Sequence, residues 1–214
     1  MKYGLGIYQT PNTSDQILKS FINNSLVSKP GEKFNYNNAE YIILGKIIEN
    51  IYHKTYEEVL NERILKPLAM TSSGMARERD IIKNLASTYF KENNSDIFIN
   101  DIPMFIENWY AAGAMYSSPT DLLKFSNALF SLKLINKKNL DLMLTAGLDN
   151  YGYGVWINGK GDEKRMERYG QIMGINALWM RFINKPITII ILSNTNSANL
   201  GELALGIKMN VSKK

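Results

Sequence analysis

Apolar positions at Ile17, Leu18, Phe21, Ile22 and Leu26 recur every three to four residues along the segment 14–27. That spacing gathers side chains on one face of a helix, and Ser14 stands where an N-cap is wanted. After a Pro30-Gly31 turn the same period returns from about Asn38 to Ile51, grouping Ile42, Ile43, Ile47 and Ile51. A third helix is predicted from Thr55, where Glu58 completes a capping box, to about Lys66. Between residues 76 and 108 the period is lost. The polar run "FKENNSDIFINDIP" reads as a long excursion over the surface. Helical spacing resumes at Ser118-Pro119-Thr120-Asp121, a helix start with proline at the first helical position. Leu122, Leu123, Phe125, Leu129 and Phe130 supply its apolar face, and a further helix is predicted over 136–145.

Past Gly147 the pattern changes to short β-branched and aromatic segments: "YGYGVWING", "ALWMRFI" and "ITIIILSN". The tight "INKP" at 183–186 predicts an antiparallel hairpin between the last two. Residues 197–211 return to a helical period. The expected outline is one domain, helical over 10–145, with a three-stranded meander and a closing helix over 151–214. The run "ITIIIL" is apolar at every position but Thr188, as in a strand buried on both faces. Such a strand normally has two neighbours, yet only residues 177–183 offer themselves. One side of it is expected to form an exposed sheet edge.

The chain of 214 residues is long enough for one domain with a substantial core, and 45% hydrophobic with 21% charged residues is ordinary globular composition. The net charge of +5 comes from interleaved residues, with Lys213-Lys214 near Lys208 the main basic cluster. A basic stripe with interleaved aromatics is missing, so no nucleic-acid partner is expected. The absence of cysteine removes disulfides, thiolate catalysis and cysteine zinc sites. A single histidine, His53, argues against a histidine metal site or a Ser-His-Asp triad. No metal and no cofactor are expected. No apolar run reaches the roughly 18 residues of a membrane span, and the first residues contain no apolar segment of signal-peptide length.

The candidate chemistry lies in Tyr36-Asn37-Asn38, a tyrosine and an asparagine displayed at the head of the second helix. With 12 tyrosines in the chain, one Tyr-x-Asn is expected by chance, and the tripeptide alone is better explained by a turn and N-cap with a packed tyrosine. The surrounding residues decide. The stretch "KPGEKFNYNNAEYIILGKIIENIYHKTYEEVLNERILKPLAM" resembles the middle of the serine β-lactamase-like hydrolases, a group with class C β-lactamases, D-alanyl-D-alanine carboxypeptidases and related esterases. "AAGAMYSSPTDLLKFSNALF" and "ERYGQIMGINALWMRFINKPITIIILSNTN" resemble later segments of the same family, in order and at sensible spacing.

The resemblance implies a β-lactamase/transpeptidase-like α/β (α+β) domain. It implies acyl transfer on a small-molecule or peptidoglycan-type peptide substrate: a β-lactam, a D-alanyl peptide or a small ester. In that family a serine of a Ser-x-x-Lys motif attacks the carbonyl. Tyr36 matches the tyrosine that assists proton transfer, and Asn38 the asparagine that orients substrate. Arg168-Tyr169-Gly170 falls at the third motif, making Arg168 and Gly170 candidate substrate-binding residues. All three of Tyr36, Asn38 and Arg168 are expected to face one groove. Arg168 stands where the family has lysine or histidine, so it keeps the charge for a carboxylate but cannot shuttle a proton. Tyr169 replaces a small hydroxyl residue and is expected to add bulk there.

No serine in the 214 residues is followed three positions later by lysine. The expectation is therefore a C-terminal portion of such a hydrolase, lacking the N-terminal strands and the nucleophile helix, and inactive by itself. The alternatives are a non-catalytic peptide- or carboxylate-binding module, or an interaction subunit whose open sheet edge pairs with another chain or with the missing N-terminal part. The family is usually exported, to the periplasm or outside the cell, and the sequence leaves the compartment open.

Overall fold

The computed structural model describes residues 5–22, 25–91 and 96–211. Its chain divides into two compact units, residues 1–84 with 103–117 and residues 85–102 with 118–214.

The first unit is built on helices α1 (Ser14–Ile22), α2 (Asn38–Tyr52) and α3 (Tyr56–Leu60). Ser14 is already helical, and Thr13 does the capping expected of it. The Thr13 hydroxyl accepts from the Gln16 N–H at 3.2 Å, and the Thr13 N–H donates to the Gln16 side chain at 2.7 Å. The described helix ends at Ile22, residues 23 and 24 of the expected one lie outside the described residues, and Leu26 and Val27 are exposed. The capping box of Thr55 and Glu58 starts α3 as the sequence predicts, and a π-helical turn, Asn61–Leu65, carries it on. Strand β1 (Gly74–Met75) pairs antiparallel with β4 (Met115–Tyr116).

The opening residues form a 3-10 turn over Leu5–Tyr8. Tyr8 stacks on Trp109 with ring centroids 4.1 Å apart. Beside them the buried Asn108 amide donates to the carbonyls of Ile7 and Thr10, both at 2.8 Å, and accepts from the Asn12 N–H at 3.2 Å. A buried amide whose donors and acceptor are all used stabilises a contact between residues about 100 apart in sequence. No local pattern announces such a contact.

The second unit is a four-stranded antiparallel sheet between helices. Strands β5 (Trp156–Asn158), β6 (Arg165–Ile172), β7 (Ile175–Phe182) and β8 (Thr188–Ser193) are neighbours in that order. The hydrophobic pattern predicts three strands, and β6 is a fourth that it does not mark. Its residues "RMERYGQI" include three charged groups and a glutamine and show no apolar alternation. Backbone pairing with both neighbours makes it a strand nonetheless. Along β7 the side chains alternate between faces. Leu178, Met180 and Phe182 are almost sealed from solvent against Leu200 and Ala204 of the closing helix α6 (Leu200–Val211), with Ile189 of β8. On the other face Trp179 packs against the core of Leu129, Leu140, Val155, Ile157 and Met166. Helices α4 (Pro119–Phe130) and α5 (Lys137–Met143) close that side. The Trp179 indole donates to Ser126 of α4 at 3.1 Å, so the one polar atom of this half-buried ring is satisfied.

Among the described residues β8 pairs only with β7, giving the edge expected of it. Its burial falls short of the expectation: Ile189 is buried, but Ile187, Ile190 and Ile191 are half-buried and Leu192 is exposed. The surface excursion proves to be partly ordered. Its strands β2 (Tyr89–Lys91) and β3 (Phe98–Asn100) form a hairpin tied to the end of the sheet, the Tyr89 N–H donating to Asn194 and the Gly174 N–H to Asp101, both at 2.9 Å. Residues 92–95, at its tip, lie outside the described residues.

Candidate active site

The head of α2 is shaped by short-range chemistry. Gly31 takes φ +80, the left-handed conformation that a residue with a Cβ adopts reluctantly. Lys29 and Glu32 close the turn, the Lys29 carbonyl accepting from the Glu32 N–H at 3.2 Å. The chain then runs extended to Asn37, whose side chain accepts from the Ala39 N–H at 2.9 Å and caps the helix. In Tyr36-Asn37-Asn38, then, the middle residue carries the cap. Asn38 opens the helix, and its amide is not consumed by capping. Tyr36 is half-buried, its ring 5.7 Å from that of Tyr41 one turn into the helix. His53 ends the helix in the left-handed conformation at φ 52 and is exposed.

Only Ile42 of the predicted apolar face of α2 is buried, with Ala39 and Gly45. Ile43, Ile47 and Ile51 form an outer row that is 41%, 47% and 65% exposed. The inner face meets the segment Ile106–Ala112, two short 3-10 turns broken at Tyr110. A Cβ on Gly45 would stand 2.5 Å from Tyr110 Cε1 and 2.7 Å from Ala111 Cβ, so glycine is what allows this approach. Tyr110 itself holds φ 44 and ψ −128, a conformation costing a bulky residue on the order of 1–3 kcal/mol.

Around Tyr110 the polar groups are linked. Lys46 reaches Asp15 of α1 at 3.4 Å and Glu49 at 3.2 Å, and its ammonium lies 5.5 Å from the Tyr110 ring centroid. Glu49 accepts from the Tyr56 N–H at the head of α3 at 2.9 Å. Burial pushes the Glu49 carboxyl upward, but Tyr110, the Tyr56 N–H and Lys46 outweigh it and hold it below its ordinary range. Burial first, and the Glu49 carboxylate second, drive the Tyr110 phenol well above its ordinary value. The hydroxyl is sealed from solvent and meets no acceptor in hydrogen-bond geometry. The two groups are therefore best described as a close electrostatic contact.

In the second unit Arg168 lies opposite Trp179 in the interior strand β6. Its guanidinium donates to the Tyr151 hydroxyl at 3.1 Å and lies 5.8 Å from the Trp156 ring centroid. Tyr151 and Trp156 meet edge to face at 4.7 Å. A guanidinium against a phenol and an indole is oriented without its charge being neutralised by those two partners. Gly170 is exposed, and a Cβ there would meet only Ala177 at 3.8 Å, so close packing is not what calls for glycine.

Strand alternation corrects the expectation for Tyr169. It shares a face with Glu167, opposite to that of Arg168, and its hydroxyl comes against Gly201 at the start of α6, where an added Cβ would stand 3.1 Å away. Glu167 is buried there between Arg165 and the Asn158 amide, which donates to it at 3.0 Å. Burial, with Glu167 second, raises the Tyr169 phenol.

Two serines near a family segment have structural roles. The hydroxyls of Ser117 and Ser73 meet at 2.7 Å beside the β1–β4 pair, and Ser118 caps α4 by accepting from the Asp121 N–H at 3.3 Å. The buried Asp121 pairs with Lys124 at 2.8 Å. Among the described residues no three His, Cys, Asp or Glu side chains gather as a metal site, and no helix is long and apolar enough to cross a membrane.

Comparison with known proteins places this architecture. The profile of the Beta-lactamase family matches residues 3–207. PbpX of Bacillus subtilis (strain 168), whose name assigns it to the penicillin-binding proteins, is 29% identical over 196 residues, covering 89% of this chain and 48% of that protein. A teichoic acid D-alanine hydrolase of Staphylococcus aureus (strain MRSA252) is 23% identical over 209 residues, covering 93% and 51%. The octameric penicillin-binding protein homologue from Pyrococcus abyssi superposes with a TM-score of 0.80 at 25% identity, over 94% of this chain and 48% of that one. The chain thus spans about half the length of the curated relatives it matches. Its match along nearly the whole of that span, with the helical unit and the antiparallel sheet that go with it, means that the chain belongs to the Beta-lactamase family.

Proposed function

We propose that this chain is the substrate-orienting portion of a serine hydrolase that transfers an acyl group from a D-alanyl ester or peptide, a β-lactam or a small ester. Tyr36 assists proton transfer, Asn38 hydrogen-bonds the substrate carbonyl region, and Arg168, with Gly170 leaving its strand uncrowded, grips a substrate carboxylate through both oxygens. The observation that carries this reading is Tyr36-Asn37-Asn38 at the capped head of α2, inside the family match. The D-alanine hydrolase among the relatives supports the substrate class. The 214 residues hold no Ser-x-x-Lys, and a tyrosine without a serine–lysine pair has nothing to activate. This chain alone therefore forms no acyl-enzyme, and the nucleophile comes from a further polypeptide segment. The outer isoleucine row of α2 and the free edge of β8 are the surfaces on which that segment packs, and the same surfaces lead the chain to self-associate when it is alone.

The test is incubation with a chromogenic β-lactam, a p-nitrophenyl ester and a fluorescent penicillin. No turnover above buffer and no labelled serine are expected. Burst labelling of Ser117, Ser118 or any other serine overturns the reading. A second reading, a carboxylate-binding module, is favoured by the way Tyr151 and Trp156 hold Arg168. It is distinguished by saturable binding of an N-acyl-D-alanine that adding a Ser-x-x-Lys segment in trans never converts to turnover.

A further inference from the structure

We infer that the ring of Tyr110 is a positioning wedge for Tyr36 and Asn38, acting through α2. The inference rests on the role proposed above for those two residues. Backbone strain at a bulky residue persists only where the surroundings over-determine it, and such strain gathers where geometry matters for function. Tyr110 is strained in this way, with φ 44 and ψ −128.

The ring of Tyr110 meets one face of α2 over successive turns. Cε1 lies 2.5 Å from where a Cβ of Gly45 would be, the ammonium of Lys46 stands 5.5 Å from the ring centroid, and the hydroxyl is beside Glu49. The ring of Tyr56 also packs on it, tilted by 54° at 5.4 Å between centroids, which limits its freedom to shift. Lys46 ties the same stretch of α2 to Asp15 of α1, and Glu49 ties it to the head of α3.

The helix is thus clamped at Gly45 to Glu49, while its head extends seven residues further to Asn38, about 10 Å at the helical rise. A helix is a stiff lever over that length. A shift at the clamp is carried to Asn38 and, through the Asn37 cap, to Tyr36. Reacting groups tolerate little misplacement: an error of ~1 Å can cost on the order of 100-fold in rate. The ring does the positioning; the hydroxyl only completes the contact with Glu49.

The test compares Tyr110→Leu and Tyr110→Phe in the full chain by NMR. It follows the Asn38 side-chain amide and the Tyr36 ring signals, with the methyl signals of Ile17 and Leu178 as controls for folding of each unit. Tyr110→Leu is expected to displace or broaden the Asn38 and Tyr36 signals while the control methyls keep their shifts. Tyr110→Phe, which keeps the ring, is expected to restore wild-type positions. Unmoved Asn38 and Tyr36 signals in a folded Tyr110→Leu overturn the inference. So do displaced signals in Tyr110→Phe, which keeps the test decisive where Tyr110→Leu fails to fold. Titration of the wild type with N-acetyl-D-alanine reads the proposed function separately: silence there sinks that role and leaves the wedge result standing.

Discussion

Replacing Gly45 by alanine sets a local preference against a tertiary one, and the structure decides the sign. In the middle of a helix alanine is favoured over glycine by about 1 kcal/mol, through backbone entropy. Opposing this, the new Cβ would lie 2.5 Å from Tyr110 Cε1 and 2.7 Å from Ala111 Cβ, far inside the roughly 3.5–4.0 Å of a comfortable carbon contact. Overpacking of this kind costs ~1–3 kcal/mol, and more where neighbours cannot yield. Here they cannot yield cheaply. The Tyr110 ring also packs against Tyr56, and its backbone is already strained. The clash should therefore sit at the top of that range and leave the variant about 1–2 kcal/mol less stable, a loss of roughly 2–8 °C in Tm for a chain of this size. Gly206→Ala in α6 is the matched control, because a Cβ there meets nothing within 4 Å and only the helical preference remains. Urea titration and thermal melts followed by circular dichroism should show Gly206→Ala at or above wild type and Gly45→Ala below it. A Gly45→Ala protein as stable as wild type would refute the argument and show that α2 and Tyr110 are not in the close contact described.

The Glu49 carboxyl is held below its ordinary value in the folded chain, so its contribution is present above the unfolded carboxyl range and lost as pH falls through the lower folded value. Glu49→Gln should flatten the fall in stability below about pH 4.5; an unchanged acid limb in urea titrations at stepped pH counts against the Lys46–Glu49–Tyr56 linkage. Phe182, fully buried between β7 and α6, should cost ~3–5 kcal/mol on truncation to alanine; a melt within about 1 kcal/mol of wild type would contradict that packing. The combined change Ile43→Lys, Ile47→Lys and Ile51→Lys should lower binding of an apolar-surface dye and raise the monomer fraction in size-exclusion chromatography, and no change in either would show that the outer row of α2 is not the adhesive surface.

Much of the fold was legible because its determinants are local. The capping box of Thr55 and Glu58, the Pro119 start of α4 and the tight turn before β8 are each written within a few residues, and the structure has them there. The proposal for Tyr36 and Asn38 also rests on one continuous stretch, the forty residues around them that resemble the family. Strand β6 was not, because no apolar alternation marks it: Glu167 pairs with Arg165 two residues back and accepts from Asn158 of β5, and Arg168 is held by Tyr151 and Trp156.

Sequence by itself determined where the main helices lie, the capped starts of α3 and α4, and the residue types at the head of α2, because hydrophobic period and capping act over one or two turns. Tertiary structure alone decided which of those elements are buried and against what. It turned the predicted apolar face of α2 into one buried isoleucine and an exposed row of three, sent Tyr169 to the opposite sheet face from Arg168, and locked the opening residues onto Asn108 and Trp109. Burial is a property of what the rest of the chain places nearby. A periodic pattern says which side chains share a face and leaves open whether a partner arrives to cover it.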